Sequence, residues 1–177
     1  MIENYLNLPA NIYCSMFQQP TIQILSTKNL VGHSLPMSLK QNRTMELWKG
    51  FMPLRKAILN TLSTDLISMR VYEAGYDFNA FDPSATFKKW AAMEVANFKA
   101  IPSGMDTFVL KGGLYAVFAY RGLNTDMRIF EYIFHTWLPS SGFALDNRPH
   151  FEVLGEKYKN NDPASEEEIW VPVKERL

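Results

Sequence analysis

The chain has 177 residues, of which 47 % are apolar and 20 % are charged, and its 18 basic residues balance its 18 acidic residues. This composition predicts one globular domain, or two small halves that share a core, and it excludes a basic surface for sequence-independent nucleic-acid binding. The single cysteine, Cys14, excludes an intramolecular disulfide and a cysteine-based zinc site.

The first half is predicted to hold three strands and one helix. Apolar alternation indicates the strands, and apolar residues that recur every three to four positions indicate the helix. Residues 1–18 show no period and are interpreted as an irregular arm. The predicted elements are strand 21–26, continuing loosely to 31, a polar connection 32–42, a helix from Thr44 that contains Pro53, strand 67–72, a turn-rich segment 74–86 and strand 87–95.

The second half shows the same order of elements. They are a strand of residues 108–110 and 113–120 bent at Lys111-Gly112-Gly113, a helix from about 125 that ends at Pro139, and strands 151–154 and 168–173. Each half therefore reads strand–helix–strand–strand, although the residues do not align between halves. We expect one domain over 19–177, built from two pseudo-repeats at about 19–100 and 105–177.

Four segments of the second half, in this order and at natural spacing, resemble the gyrase-inhibitor-like (GyrI-like) family. This family is also called the bacterial transcription-activator effector-binding domain, of the AraC-type effector-binding superfamily. The resemblance covers about residues 20–177 and is strongest after 108. The four segments are Leu110–Phe118, Thr136–Phe143, Pro149–Glu152 and Glu168–Val173.

The resemblance implies an α+β fold in which two strand–helix–strand–strand (SHS2) modules form a pseudo-twofold pair. Their joined antiparallel sheet carries helices on one face and a ligand cleft on the other. Relatives serve as effector-sensing halves of multidrug-responsive regulators, as stand-alone binders, as gyrase inhibitors and, in one branch, as hydrolases of cyclopropane-bearing genotoxins. A glutamate four residues before the proline of the last strand is similar to the family's central pocket acid, and here it is Glu168.

The physical reading of Glu168 rests on strand alternation. Alternation places Glu168 and Trp170 on one face of the last strand, and Ile169 and Val171 on the other. An unpaired carboxylate in apolar surroundings costs several kcal/mol or shifts its pKa, which is explained if a ligand cation pairs with it. Trp170 could offer its ring face to the same cation, worth roughly 0.5–2 kcal/mol. The alternative is that Glu168 ends a solvated acidic run, Glu166–Glu168.

Five more aromatic residues are candidates for the pocket walls. Trp90 either faces the cleft or packs on a helix, and Tyr72 could contribute a hydroxyl. Either Phe118 or Tyr115 should touch the cleft, but strand parity alone does not choose between them. Trp137 has the helical spacing of a core residue, yet from its place near the helix end it could border the cleft. The predicted ligand-binding residues are therefore Glu168, Trp170, Trp90, Phe118, Tyr115, Tyr72 and Trp137.

We expect a stand-alone protein that binds a lipophilic, cationic or aromatic drug-like molecule, for effector sensing or sequestration. The alternative is a hydrolase that uses Glu168 as general acid/base. No cofactor or metal is predicted, because His33, His135 and His150 lack metal-ligand spacing.

Partners and location are predicted from what the sequence lacks. No helix-turn-helix fits before the first strand, so direct nucleic-acid binding is not expected. A homodimer or a separate regulatory partner stays open. The start of the chain does not resemble a signal peptide and no apolar run could span a bilayer, so we predict a cytoplasmic protein without membrane contact.

Overall fold

The structure, a computed structural model, describes residues 17–78 and 82–176. The first helical region, α1 (Thr44–Leu54), continues into the 3-10 turn Arg55–Ala57. The second, α2, comprises α-helical Arg128–Glu131, π-helical Tyr132–Trp137 and α-helical Leu138–Ser140. The strands are β1 (Thr21–Leu25), β2 (Lys28–Met37), β3 (Leu66–Tyr72), β4 (Phe87–Val95), β5 (Asp106–Leu110), β6 (Gly113–Arg121), β7 (Phe143–Leu145), β8 (His150–Leu154) and β9 (Glu166–Glu175).

All strand pairings are antiparallel, in the order β1-β6-β9-β8-β3-β4-β2-β5, and β7 pairs with the end of β9. Only short links separate β1 from β2 and β5 from β6, and the register continues across them, from Leu25 opposite Gly113 to Lys28 opposite Leu110. The two ends of the sheet are therefore joined there, and the sheet curls around one of its faces. A side chain at Gly112 would overlap the carbonyl of Leu25, so this crossing requires glycine.

Two strand predictions need correction. The predicted bent strand at 108–120 is two strands, because β5 pairs with β2 whereas β6 pairs with β1 and β9. The predicted polar connection 32–42 is largely strand, since β2 extends to Met37 along β4. Gly32 weakens the strand pattern in sequence, but it allows the close approach of β2 to Ala91 and Ala92 in β4.

Both helices lie on the same face of the sheet. One cross-strand row runs through Ala91, Ser68, Glu152, Ile169 and Phe118, and residues paired in this way share a face. Ala91 belongs to the core under α1, while Ile169 and Phe118 belong to the core under α2. This arrangement confirms the predicted α+β fold with helices on one face, and it leaves Glu152 between the two helices.

The opposite face is turned inward by the curl of the sheet and carries a packed core. Its fully buried members include Leu30, Met69, Tyr115 and Phe151, and Trp170 packs against them. The predicted alternation of the last strand is confirmed, because Ile169, Val171 and Val173 pack under α2 while Trp170 lies on the opposite face.

The predicted pseudo-repeats, at about 19–100 and 105–177, stay a prediction. Most of the predicted arm, residues 1–16, lies outside the described residues. At its end, the ring of Phe17 lies 5.4 Å from that of Tyr132 in α2. In the described parts of the chain, no helix is long and apolar enough to cross a membrane.

Candidate functional site

The candidate site is centred on Glu152, whose side chain is only 16 % exposed between the two helices. Lys89 Nζ lies 3.3 Å from Glu152 Oε2, and Arg70 Nη2 lies 3.6 Å from Glu152 Oε1. Strand pairing brings these groups together, because Arg70 is opposite both Lys89 and His150, and Ser68 is opposite Glu152. Residues far apart in sequence thus form one charged cluster on the helix-bearing face.

Burial and mutual attraction set the charges of this cluster. Burial alone would raise the pKa of Glu152, but the charges of Lys89 and Arg70 and a hydrogen bond with Ser68 lower this pKa below its ordinary value. Burial lowers the pKa of Lys89 to about 8, against the attraction of Glu152. Burial, with repulsion from Glu152, raises the pKa of Glu167 to about 7. The cluster therefore holds two cations, one ionised carboxylate and one carboxyl group that titrates near neutrality.

Two phenylalanines of α2 form an aromatic wall beside the charges. Phe130 and Phe134 border a small cavity together with Arg70, His150 and Glu152. The guanidinium carbon of Arg70 lies 5.4 Å from the ring centroid of Phe130, within the range of a cation–π contact. The ring of Phe134 lies 5.9 Å from that of His150. Phe134 lies within the π-helical piece of α2, a geometry found often at functional sites.

The loop between β3 and β4 adds aromatic rings to this groove. Phe78 stacks on His150 at 5.1 Å, Tyr72 lies 5.1 Å from Phe78, and Tyr76 stacks on Tyr72 at 4.5 Å. The cavity left beside them measures about 20 Å³, which is room for about one water molecule. Side chains of the protein itself therefore fill most of the groove.

His150 carries a polar atom that the described residues leave unsatisfied. Its Nε2 is buried and has no hydrogen-bond partner among them. Burial and the charge of Arg70 lower the pKa of His150 to about 3, so the imidazole is neutral at physiological pH. A neutral imidazole in this position can donate or accept one hydrogen bond at Nε2.

The sequence prediction placed Glu168 in a pocket, and in the structure Glu168 lies on the face opposite to the Glu152 groove. Glu168 is exposed on the helix-free face and accepts a hydrogen bond of 2.9 Å from Trp170 Nε1. Strand alternation turns it away from the helices, which cover its neighbour Ile169. The Glu168 carboxylate is thus exposed in this structure, and a contribution of Glu168 or Trp170 to ligand binding stays a prediction.

The other predicted residues divide between the two faces. Trp90 and Tyr115 are buried in the inward-turned core, where Tyr115 donates a hydrogen bond of 3.2 Å to the carbonyl of Pro149. Phe118 and Trp137 pack edge to face at 5.1 Å in the core under α2. Tyr72 lies at the Glu152 site, 6.4 Å from the ring of His150. The structure thus brings one of the seven predicted residues to the candidate site.

Sequence reasoning missed the charged cluster, although one signal was present. Alternation in the predicted strand 67–72 places Arg70 on the same face as the buried Ser68. In the predicted strand 87–95 it places Lys89 on the same face as the buried Ala91. A lysine on a helix-covered face requires an acidic partner. Glu152 stood within the segment Pro149–Glu152 that carried the family resemblance.

A second, larger hollow of about 340 Å³ lies beside α1. Its acidic side chains already have partners, since Glu46 pairs with Arg43 and Asp106 accepts a hydrogen bond of 2.8 Å from Ser34. It lacks the aromatic wall of the Glu152 groove. Among the described residues, no cluster of three or more His, Cys, Asp or Glu side chains could hold a metal ion.

The family model for integron-associated effector binding proteins, Cass2, matches residues 21–173. The chain belongs to this family. Its membership, together with the fold, confirms the GyrI-like resemblance and places the protein among effector-binding proteins. No curated protein sequence matches this Cass2-family chain.

Three solved structures illustrate the fold that this Cass2-family protein shares. SAV2435 bound to tetraphenylphosphonium is 20 % identical, with a TM-score of 0.61 and coverage of 89 % of this chain and 94 % of its own. The integron cassette protein VCH_CASS2 from the mobile metagenome of Vibrio cholerae is 14 % identical, with a TM-score of 0.61 and coverage of 89 % and 97 %. The EcmrR C-terminal domain is 12 % identical, with a TM-score of 0.61 and coverage of 89 % and 98 %. At these identities the similarity shows the fold alone.

Proposed function

We propose that this protein binds a bulky aromatic small molecule in the groove along α2, over Glu152, as an effector sensor or a sequestering protein. The observation that carries the proposal is the stack of Phe78 on His150 beside Phe134, directly above a buried charged cluster. Burying charges is unfavourable unless they are paired and hydrogen-bonded, and buried groups with shifted pKa values are frequent at functional sites. Aromatic rings above them supply contact area for a flat ligand.

Entry of a ligand requires the loop rings to move. The remaining cavity of about 20 Å³ holds about one water molecule, so an aromatic ligand would take the place of Phe78 on His150. The loop that carries Phe78 and Tyr76 lies between β3 and β4 and has no strand pairing of its own in its described part. Its displacement would therefore leave the sheet intact.

The comparison with SAV2435 supports a ligand rich in aromatic rings. That protein, similar in fold, was solved with tetraphenylphosphonium, which carries four phenyl groups. The groove of the present chain offers Phe130, Phe134 and His150 for ring contacts of the same kind. Family membership among effector-binding proteins supports sensing or sequestration as the use of such binding.

The test is a titration of the full chain with a panel of polycyclic aromatic compounds, followed by calorimetry and thermal stability. Phe134→Ala removes one wall of the groove and should weaken binding about tenfold or more. Trp170→Ala is the matched control, because it removes an aromatic ring from the opposite face, and it should leave the affinity unchanged. Loss of binding in the Trp170 variant alone would place the ligand where the sequence pattern predicted it.

The hydrolase alternative would use Glu168, which is exposed and bonded to Trp170. Its test is incubation with a strained cyclopropane electrophile. Product formation by the wild type that disappears in Glu168→Gln would establish it, and absence of turnover would reject it.

A further inference from the structure

We infer that the groove over Glu152 selects an aromatic molecule that carries a carboxylate, and that Arg70 and His150 hold this carboxylate. The inference rests on the proposed function, because it names the ligand class of the same groove. It departs from the sequence-based expectation of a lipophilic cation. Three observations on described residues lead to it.

The first observation is that buried groups of the protein already compensate the negative charge of Glu152. Lys89, only 4 % exposed, lies 3.3 Å from one carboxylate oxygen, and Ser68 contributes a hydrogen bond. A cation that entered the cavity would meet a carboxylate engaged with two cations, and it would be repelled by Arg70 at the cavity wall. The arrangement therefore does not favour a cationic ligand.

The second observation is that Arg70 has donors to offer. Its side chain is 26 % exposed and its ion pair with Glu152 is long, at 3.6 Å. The guanidinium lies over the ring of Phe130, which restrains its position at the edge of the cavity. A planar guanidinium carries five N–H donors in a fork that matches the two oxygens of a carboxylate. Beyond its contacts with Glu152 and with the hydroxyl of Tyr72, Arg70 can thus offer donors to a ligand carboxylate.

The third observation is the unsatisfied Nε2 of His150, which lines the same cavity as Arg70. In the tautomer with hydrogen on Nε2, this atom would donate a hydrogen bond to a ligand acceptor in the cavity. Burial keeps the ring neutral, so it supplies a directed donor and not a second charge. A carboxylate placed between Arg70 and His150 would satisfy both groups, while the aromatic part of the ligand replaces Phe78 in the stack.

The balance of charge agrees with these contacts. Two cations, Arg70 and Lys89, face the ionised Glu152, and burial raises the pKa of Glu167, the second carboxyl group of the cluster. An anionic ligand would add a partner for Arg70, whereas a cationic ligand would add a third positive charge.

Three probes of nearly one shape test the inference: 2-naphthoate, 2-naphthamide and 2-naphthylmethylammonium, titrated into the full chain by calorimetry at pH 7. We expect 2-naphthoate to bind about tenfold or more tightly than the amide, since charge-assisted hydrogen bonds are the stronger ones. The ammonium compound should bind most weakly. Equal affinities, or tightest binding of the ammonium compound, would overturn the inference and leave the proposed function standing. Absence of binding by all three would count against both.

Variants at Arg70 test whether this residue causes the preference for 2-naphthoate over the other two probes. Arg70→Gln should remove the preference for 2-naphthoate and bring the three affinities within about threefold of one another, whereas Arg70→Lys, which keeps the charge but loses the fork, should retain part of it. Arg121→Gln, a change of an exposed arginine at the end of β6, is the matched control and should alter nothing. The ranking of the probes in the wild type decides the question even if an Arg70 variant is unstable.

Discussion

Glu152 stays ionised in a largely buried position because three neighbours replace the water that it loses. Lys89 and Arg70 lie at 3.3 and 3.6 Å from its oxygens, and Ser68 adds a hydrogen bond. Removing one member of such a buried group leaves the charges of the others uncompensated. This lowers stability more than replacing the whole group by apolar residues would. Glu168 is exposed and accepts a hydrogen bond from Trp170 Nε1, so we expect it to contribute much less to stability.

Glu152→Gln should therefore lower the free energy of unfolding by about 2–4 kcal/mol, below the largest effects of broken buried pairs because Arg70 retains some contact with water. Urea denaturation of the full chain measures this. Glu168→Gln is the control and should change stability by no more than about 0.5 kcal/mol. Equal effects of the two substitutions would mean that the buried cluster is not a stabilising unit.

Glu167 gives the protein a predictable pH dependence. Its pKa in the folded state is about 7, above the ordinary value of 4.5, because burial and Glu152 disfavour its charge. The folded state therefore holds this proton more tightly than the unfolded state. The resulting stabilisation is complete below about pH 4.5 and is lost as the pH rises through 7.

Glu167→Gln remains neutral at every pH, so it should match the wild type near pH 5 and exceed it at pH 8. The expected difference at pH 8 is roughly 1–2 kcal/mol, after allowance for partial contact of the group with solvent. Denaturation of both proteins at pH 5, 6, 7 and 8 measures it, and Glu175→Gln at an exposed position is the control. A difference that does not change with pH would show that the Glu167 carboxyl group titrates normally.

At the scale of elements, the strand patterns were informative where each strand buries one face. The predicted strands 67–72 and 87–95 correspond to β3 (Leu66–Tyr72) and β4 (Phe87–Val95). β2 was underestimated because Gly32 and Pro36 interrupt its pattern, although both lie opposite residues of β4. No local pattern reveals that β8 lies beside β3, and this pairing is what brings Glu152 to Arg70.

Gly32 marks a place where β2 and β4 approach each other closely. A Cβ at this position would lie 2.6 Å from the Cα of Ala92 and would overlap the carbonyl oxygen of Ala91. Gly32→Ala should therefore force the strands apart and cost about 1–3 kcal/mol of stability, as overpacking generally does. Gly142→Ala, where nothing lies within 4 Å of the added carbon, is the control in the same denaturation experiment. Equal stability of both variants would contradict the close approach.

The loop between β3 and β4 supplies the ring that a ligand would replace. Phe78→Ala vacates the stack on His150, so the ligand no longer competes with a side chain of the protein. We expect this variant to bind aromatic ligands about two- to tenfold more tightly, in line with the strength of an aromatic pair. Calorimetric titration measures the change. Phe98→Ala, in the separate core under α1, should not raise the affinity, and weaker binding by Phe78→Ala would show that this ring contacts the ligand.

At the scale of the whole molecule, the joined sheet separates a filled interior from an outer groove. The curl of the sheet buries Trp90, Tyr115 and Phe151 on the inward-turned face. On the other face, the cross-strand row that contains Glu152 lies between the two helices. The family resemblance predicted the α+β fold correctly because four segments fix the order of elements. The role of Glu168 as the pocket acid stays a prediction, because alternation tells only which residues share a face and not which face binds a ligand.

A crystal structure of the protein with a bound polycyclic aromatic ligand tests the central claim most directly. The account predicts that the ligand rings lie between Phe134 and His150, above Glu152, with Phe78 displaced from its stack. A ligand bound on the helix-free face, against Trp170 and Glu168, would contradict it.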